Sequence, residues 1–140
     1  MIQEILILNQ SGIALFHHSF SGQSQFDIQL IASYFDLICR YTKKKMHASL
    51  KSFTLEKHII FFYSFSPGLH LVFICNNMEL NMDILELLAD LIMENFIVMF
   101  KDNLNKFNGE ISVFRSFSHV VENIINIKTF RIHKNKYIEQ

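Results

Sequence analysis

The chain has 140 residues, with 13 basic and 13 acidic side chains, so its formal net charge is zero. This length favours one domain with a substantial core, and zero net charge excludes a global field that steers the protein to nucleic acid or an anionic membrane. Hydrophobic residues make up 50% and charged residues 19%, below the roughly 25% charge usual in soluble proteins. We interpret this deficit as apolar surface that another chain covers. A small protein with an unusually rich core is the alternative.

The cysteine pattern and the termini indicate a cytoplasmic protein. Cys39 and Cys75 lie far apart and form no CxxC pair, as expected of buried thiols in a reducing compartment. No apolar run approaches the ~18 residues that a membrane span needs. Ile2 leaves no N-terminal glycine for myristoylation, and no C-terminal cysteine is available for prenylation. We expect no stable membrane anchor, and a position at membranes only through partners.

The first predicted element is a hairpin. Residues 2–8 and 13–20 form two β-prone runs joined by the polar link from Asn9 to Gly12, which is typical of antiparallel strands. The first run is apolar at four successive positions, Ile5 to Leu8, so both of its faces require cover. This pattern predicts a central strand of a layered sheet.

Residues 25–41 have helical periodicity with an unusually wide apolar arc. One narrow polar face contains Gln29, Ser33, Asp36 and Arg40. Two adjacent apolar stripes fill the rest: the first is Ile28, Ile31, Phe35 and Ile38, and the second is Leu30, Tyr34, Leu37 and Tyr41. Docking on a sheet requires one stripe, so the second must meet another helix or another molecule. The predicted helix ends at Thr42 to Lys45, where cations suit its negative end.

Three strand candidates follow this helix. Residues 48–56 are mixed in polarity and predict an outer strand, whereas 58–65 and 69–75 are almost wholly apolar. Pro67 and Gly68 lie between the last two and fit positions i+1 and i+2 of a type II turn, which predicts a second hairpin. Because both faces of these strands are apolar, we expect helices on both sides of the sheet.

The remaining chain is predicted to be helical. Residues 81–106 form one long helix, with Asp83 and Glu86 in its first turns. Asn108 and Gly109 end it, residues 110–114 form an extended linker, and Ser118 caps a last helix over 119–127. The tail 128–140 extends this helix, pairs as a strand or is disordered. The predicted fold is α/β (α+β), with three layers (α/β/α), a five-stranded, mainly antiparallel sheet and the order β-β-α-β-β-β-α-α.

The opening sequence ILILNQSGIALFHHSF, together with this element order, resembles the longin domain family. The wider relatives include small adaptor-complex subunits, transport-complex subunits and roadblock-like GTPase regulators. The likeness consists of a first strand, an Asn-x-x-Gly turn at Asn9 to Gly12, a strand ending in Phe, and a later hairpin that closes in LHLVFICNN before a long amphipathic helix. It covers residues 1–127, which we expect to form one longin-like domain.

The resemblance implies a non-enzymatic interaction module. Longin-like domains pair with each other, and the resulting platforms bind small GTPases or sorting-complex partners. We therefore expect a homodimer, or a heterodimer with another longin- or roadblock-like protein, that binds or regulates a small GTPase in a system similar to membrane traffic. The alternatives are a subunit of a tethering or adaptor complex without direct GTPase contact, and a small-molecule sensor that uses the Phe-rich interior as a pocket.

No sequence pattern indicates catalysis or metal binding. The chain has four glycines and no GxxxxGK[ST], GxGxxG or GxSxG motif, so we do not predict that it is itself a GTPase. A dyad of Cys75 with a sheet histidine is the enzyme alternative, but nothing in the sequence aligns it. Zinc is the alternative for the histidines. However, His17 and His18 point to opposite strand faces, and His58 and His70 lie at unequal distances from their turn. We predict no catalytic residue, no cofactor and no metal.

The candidate site is therefore a protein interface on helix 25–41. It combines the second apolar stripe with the cations that follow, namely Leu30, Tyr34, Leu37, Tyr41, Lys43 and Lys44. Tyrosine suits interfaces because one end of its side chain is apolar and the other hydrogen-bonds. In the alternative interpretation the stripe packs on the tail or a neighbouring loop, and the lysines form a solvated helix end. The edge of the strand at 48–56 is a second candidate surface, through strand addition.

Overall fold

The computed structural model describes residues 2–76 and 81–138, with side chains as far as residue 127. The chain divides into two compact units, Met1–Leu80 and Asn81–Gln140. In the described residues, the first unit holds a five-stranded sheet and one long helix, and the second holds the later helices. The sheet and the element order confirm the predicted α/β class.

The sheet of the first unit is antiparallel throughout. Its strands are β1 (Ile2–Leu8), β2 (Ala14–Ser19), β3 (Ser52–Thr54), β4 (Ile59–Phe65) and β5 (Leu69–Cys75). Their spatial order is β2-β1-β5-β4-β3. β1 lies between two neighbours, and Ile5 to Leu8 are at most 2% exposed. The prediction that both faces of this strand are covered is therefore confirmed.

Both predicted hairpins are present, and side chains and glycines shape their turns. The Asn9 carboxamide oxygen accepts hydrogen bonds from the backbone N–H groups of Ser11 at 2.9 Å and Ile13 at 3.0 Å. Gly12 has φ +79° in this link, which a residue without a side chain adopts without strain. Gly68 has φ +73° in the second turn, which a residue without a side chain also adopts without strain. The Ser66–Pro67 peptide bond there is cis.

Helix α1 (Ile28–Met46) follows the first hairpin and is longer at its C-terminal end than the predicted 25–41. Asp27 caps it by accepting a hydrogen bond from the Leu30 N–H, and His47 ends it with φ +53°. The lysines after Tyr41 continue the helix because lysine has good helix propensity and its charge suits the C-terminal dipole.

The core of the first unit lies between α1 and one face of the sheet. Ala32 and Phe35 of α1 pack with the strand residues Leu6, Leu8, Ala14, Ile60, Phe62, Val72 and Ile74. The Phe35 ring makes edge contacts with Phe53 at 6.0 Å and Phe62 at 5.5 Å between centroids. Three residues of the first apolar stripe, Ile28, Ile31 and Phe35, therefore dock on the sheet.

The second unit contains α2 (Met82–Met99), α3 (Lys101–Asn105), a 3₁₀ turn (Ser112–Phe114) and α4 (Phe117–Ile138). The prediction of one helix over 81–106 is wrong, because the helical geometry is interrupted at Phe100, with φ −116°. Phe100 is 6% exposed, and its ring lies 5.1 Å from both Phe96 and Phe114. We attribute the interruption to this aromatic packing, since no Gly or Pro occurs there.

Three other boundaries differ from the prediction. The outer strand over 48–56 is reduced to β3, because only three of its residues pair with β4. The prediction of an extended linker over 110–114 is also wrong. The side chains of Asn108 and Glu110 each accept a hydrogen bond from the backbone N–H two residues ahead, and such bonds favour local turns over an extended chain. The last helix begins at Phe117, which is fully buried, and not after a Ser118 cap. Its backbone is helical as far as Ile138, and residues 139 and 140 of the predicted tail lie outside the described residues.

Candidate protein interface on helix α1

The polar face of α1 is attached to the first hairpin. The Gln29 carboxamide accepts the Ala14 N–H and donates to the Ala14 carbonyl oxygen, both at 3.0 Å. The Arg40 guanidinium pairs with Asp36 at 3.0 Å and donates to the backbone carbonyl of Gln10. These contacts set the rotation of α1 about its own axis. The helical periodicity of the sequence places these side chains on one face, but no sequence pattern indicates their partners.

With that rotation, the second apolar stripe faces solvent. Leu30 is 69% exposed, Tyr34 53%, Leu37 64% and Tyr41 62%. Their spacing of four, three and four residues places them in one line along the helix. These exposures are inconsistent with the alternative in which a neighbouring loop covers the stripe.

A shallow groove lies beside the N-terminal half of the stripe. Its volume is about 590 Å³, and Leu30, Tyr34 and Leu37 form part of its lining together with Phe26 and Ile31. The groove is therefore mainly apolar, and it is concave where a partner side chain could enter.

The two predicted cations lie at the C-terminal end of the same helix. Lys43 and Lys44 are both exposed in the last turns of α1. Lys44 continues the line of the stripe, since it follows Tyr41 by three residues. The structure thus brings all six candidate residues together on one helix. Whether they form an interface remains a prediction.

The second candidate surface is small. β3 is the outer strand beside β4, and only Ser52, Phe53 and Thr54 belong to it. Three residues offer few backbone groups for the addition of a foreign strand. The α1 stripe is therefore the more extensive of the two surfaces.

The cysteines and histidines are poorly arranged for chemistry. Burial raises the pKa of Cys39 and of Cys75 to about 11, so both thiols stay protonated at neutral pH and are weak nucleophiles. His70 bonds to the Ser64 hydroxyl at 3.0 Å across the β4–β5 pair, and burial lowers the pKa of this histidine. Within the described side chains, no three His, Cys, Asp or Glu residues are grouped to hold a metal ion.

The solved structures that resemble this chain include the following two. The gliding protein MglB from Thermus thermophilus is 13% identical, with a TM-score of 0.47, and the match covers 54% of this chain and 61% of that one. A Roadblock/LC7 domain from Streptomyces avermitilis is also 13% identical, with a TM-score of 0.44, and the match covers 60% of this chain and 72% of that one. These likenesses concern the fold alone.

No protein-family model matches the sequence, and no curated protein matches it. Among the described residues, no helix has both the length and the apolar character needed to cross a membrane.

Proposed function

We propose that the protein is a non-enzymatic interaction module that pairs through α1 with a second copy or with another longin-like chain, and that binds a small GTPase. The observation that carries this proposal is the line of four exposed large side chains at Leu30, Tyr34, Leu37 and Tyr41. A surface helix that already docks one apolar stripe gains nothing within its own domain from a second.

The chemistry of the stripe supports a protein partner. Burial of one large apolar side chain contributes about 1.5–3 kcal/mol, and four in one line provide the anchors of a helix-on-helix contact. Leucine and tyrosine alternate in a heptad-like spacing, which suits packing against a second amphipathic helix. Leu37 and Tyr34 lie at the centre of the line and are the expected anchors.

The resemblance of the opening hairpin to longin domains supports the choice of partners. Such domains pair and then bind small GTPases. Lys43 and Lys44 adjoin the stripe and complement acidic residues on a partner, mainly by increasing the association rate. GTPase binding is the finer part of the proposal and is tested separately.

Light scattering tests the pairing. We expect the wild-type protein to be a dimer at tens of micromolar and the double variant Tyr34→Asp, Leu37→Asp to be a folded monomer, because two carboxylates in the contact cannot be desolvated without large cost. Val98→Asp on α2 is the matched control, since Val98 is 78% exposed outside the stripe. If the double variant assembles as the wild type does, α1 is not the interface. A wild-type monomer excludes the homodimer.

The GTPase contact is tested by affinity capture with purified small GTPases, each loaded with GDP or with a non-hydrolysable GTP analogue. We expect one nucleotide state to be retained preferentially, with weaker retention by the variant Lys43→Glu, Lys44→Glu. Pairing without retention of either state favours the alternative function, a subunit of a tethering or adaptor complex that does not contact a GTPase.

A further inference from the structure

The exposed stripe of α1 has charges of opposite sign at its two ends. Asp27 precedes Leu30 by three residues, and Lys44 follows Tyr41 by three residues. A spacing of three residues keeps each charge on the line of the stripe. Both charged side chains are exposed. The line therefore has an acidic N-terminal end, an apolar centre and a basic C-terminal end.

The two halves of the stripe also differ in shape. The apolar groove of about 590 Å³ lies beside the N-terminal half, and Asp27, Leu30 and Tyr34 are among the residues that line it. The C-terminal half carries Tyr41, which is 62% exposed and lies outside the lining of that groove. One half is therefore concave, and the other presents a large ring.

A second copy whose α1 runs antiparallel matches the shape of the stripe. We place a two-fold axis midway between Tyr34 and Leu37. Leu30 then faces Tyr41 of the second copy, and the ring of that Tyr41 enters the groove. In the inner layers, Tyr34 faces Leu37 of the second copy. Each layer thus joins a leucine to a tyrosine, as heptad-spaced residues meet in an antiparallel pair.

The charges distinguish this arrangement from a parallel one. In the antiparallel pair, the next layer outward joins Asp27 to Lys44 of the second copy, once at each end. In a parallel pair, each of these residues would face its own equivalent, and the groove would face the same groove. Like charges in contact repel, and two concave surfaces leave a void. Charge and shape therefore both favour the antiparallel pair.

We propose that the partner of α1 is a second copy of this chain in antiparallel orientation, with reciprocal contacts of Asp27 with Lys44 and of Tyr41 with the groove. The inference rests on the pairing proposed above and specifies its partner, direction and register. Burial of the apolar layers provides the affinity. The exposed ion pairs contribute little stability and select the orientation.

Distance measurements by double electron–electron resonance on the full-length protein test the orientation. A spin label is attached at Lys45→Cys, an exposed position beside the stripe, and Cys39→Ala removes the half-buried native thiol. Cys75 is fully buried and does not react. At about 1.5 Å of rise per residue, the antiparallel pair places the two labels roughly 30 Å apart, and a parallel pair places them within about 15 Å. Light scattering establishes that the labelled protein is still a dimer.

A cycle of charge variants tests the register through the dissociation constant of the pair, measured by sedimentation equilibrium. Lys44→Glu should weaken pairing about tenfold, because a carboxylate then faces Asp27 at both ends. Asp27→Asn keeps a good helix cap. It should weaken pairing of the wild type but strengthen pairing of the Lys44→Glu variant. Lys57→Glu makes the same charge change at an exposed position outside α1 and should leave pairing unchanged.

The outcomes separate this inference from the function on which it rests. A dimer with the short label distance overturns the antiparallel arrangement but retains pairing through α1. The same holds if Asp27→Asn changes the affinity in one direction in both backgrounds. If the double variant Tyr34→Asp, Leu37→Asp still forms the dimer, both proposals are overturned. A monomeric wild-type protein overturns the second copy as partner and leaves the heterodimer of the proposed function.

Discussion

At the scale of single residues, Gly12 carries two constraints at once. Its φ of +79° is unfavourable for a residue with a side chain, and a Cβ built on it would lie 3.0 Å from Asp36 Oδ2 and 3.1 Å from Asp36 Cβ. Gly22 has a similar φ of +86°, but a Cβ there would meet no atom within 4 Å. Substitutions at these two glycines therefore distinguish the cost of backbone strain from the cost of a close side-chain contact.

We predict that Gly22→Ala lowers the free energy of unfolding by about 1 kcal/mol, the cost of a positive φ. Gly12→Ala should lower it by roughly 1–2 kcal/mol more, because Asp36 must move away from its pairing position beside Arg40. Urea denaturation of the two variants and the wild type measures both values. Equal losses would contradict a tight contact between the hairpin link and α1.

At the scale of elements, Gln29 joins helix α1 to the edge strand β2. Its carboxamide accepts a hydrogen bond from the Ala14 N–H and donates one to the Ala14 carbonyl. A neighbouring strand would form the same pair of bonds with its backbone. β2 is at the edge of the sheet, and edge strands with free backbone groups invite pairing with foreign chains. Gln29 therefore fixes the position of α1 and also occupies an open site on the edge.

We predict that Gln29→Leu lowers the free energy of unfolding by about 1–3 kcal/mol, because it leaves the buried N–H and carbonyl of Ala14 unpaired. Hydrogen exchange at the Ala14 amide should accelerate more than at other β2 amides. Ser33→Ala is the matched control: Ser33 donates only to the Gln29 carbonyl of its own helix, so its loss should stay within about 0.5 kcal/mol. If Gln29→Leu unfolds with the same free energy as the wild type and its Ala14 amide still exchanges slowly, contacts other than those of Gln29 fix the position of the helix.

Elements that depend on local patterns could be predicted from the sequence. The link from Asn9 to Gly12 and the Pro67–Gly68 pair contain the turn residues themselves, so both hairpins followed from a few neighbouring positions. The width of the apolar arc on α1 was also local information. For this reason periodicity alone was sufficient to predict the stripe that contains Tyr34.

Features that depend on contacts distant in sequence could not be predicted. Gln29 lies 15 positions from Ala14, and His17 lies 13 positions from Glu4, and no spacing rule connects such pairs. The interruption at Phe100 arises from rings brought together by folding, without a Gly or Pro to mark it. The candidate interface, by contrast, followed from periodicity within one helix.

At the scale of the whole molecule, both the composition of the chain and its exposed apolar side chains favour association with another chain. The charges balance at 13 of each sign, and charged residues are only 19% of the chain. Four of the exposed large apolar side chains belong to one line on α1. Little net repulsion therefore opposes association, and a contact that buries this line should depend more on hydrophobic burial than on ion pairs.

Association of this kind should appear in the stability of the protein. Binding stabilises the folded state by an amount that grows with the ratio of free partner to its dissociation constant, about 2.7 kcal/mol at a hundredfold excess. We predict that the midpoint of thermal unfolding rises by several degrees when the protein concentration is raised about a hundredfold, since 1 kcal/mol corresponds to roughly 2–8 °C in domains near this size. Leu37→Asp should remove this dependence and Val98→Asp should retain it.

Differential scanning calorimetry at a series of protein concentrations measures the effect. A wild-type midpoint that is independent of concentration would exclude self-pairing, and a rise seen only on addition of a second longin-like chain would identify the heterodimer.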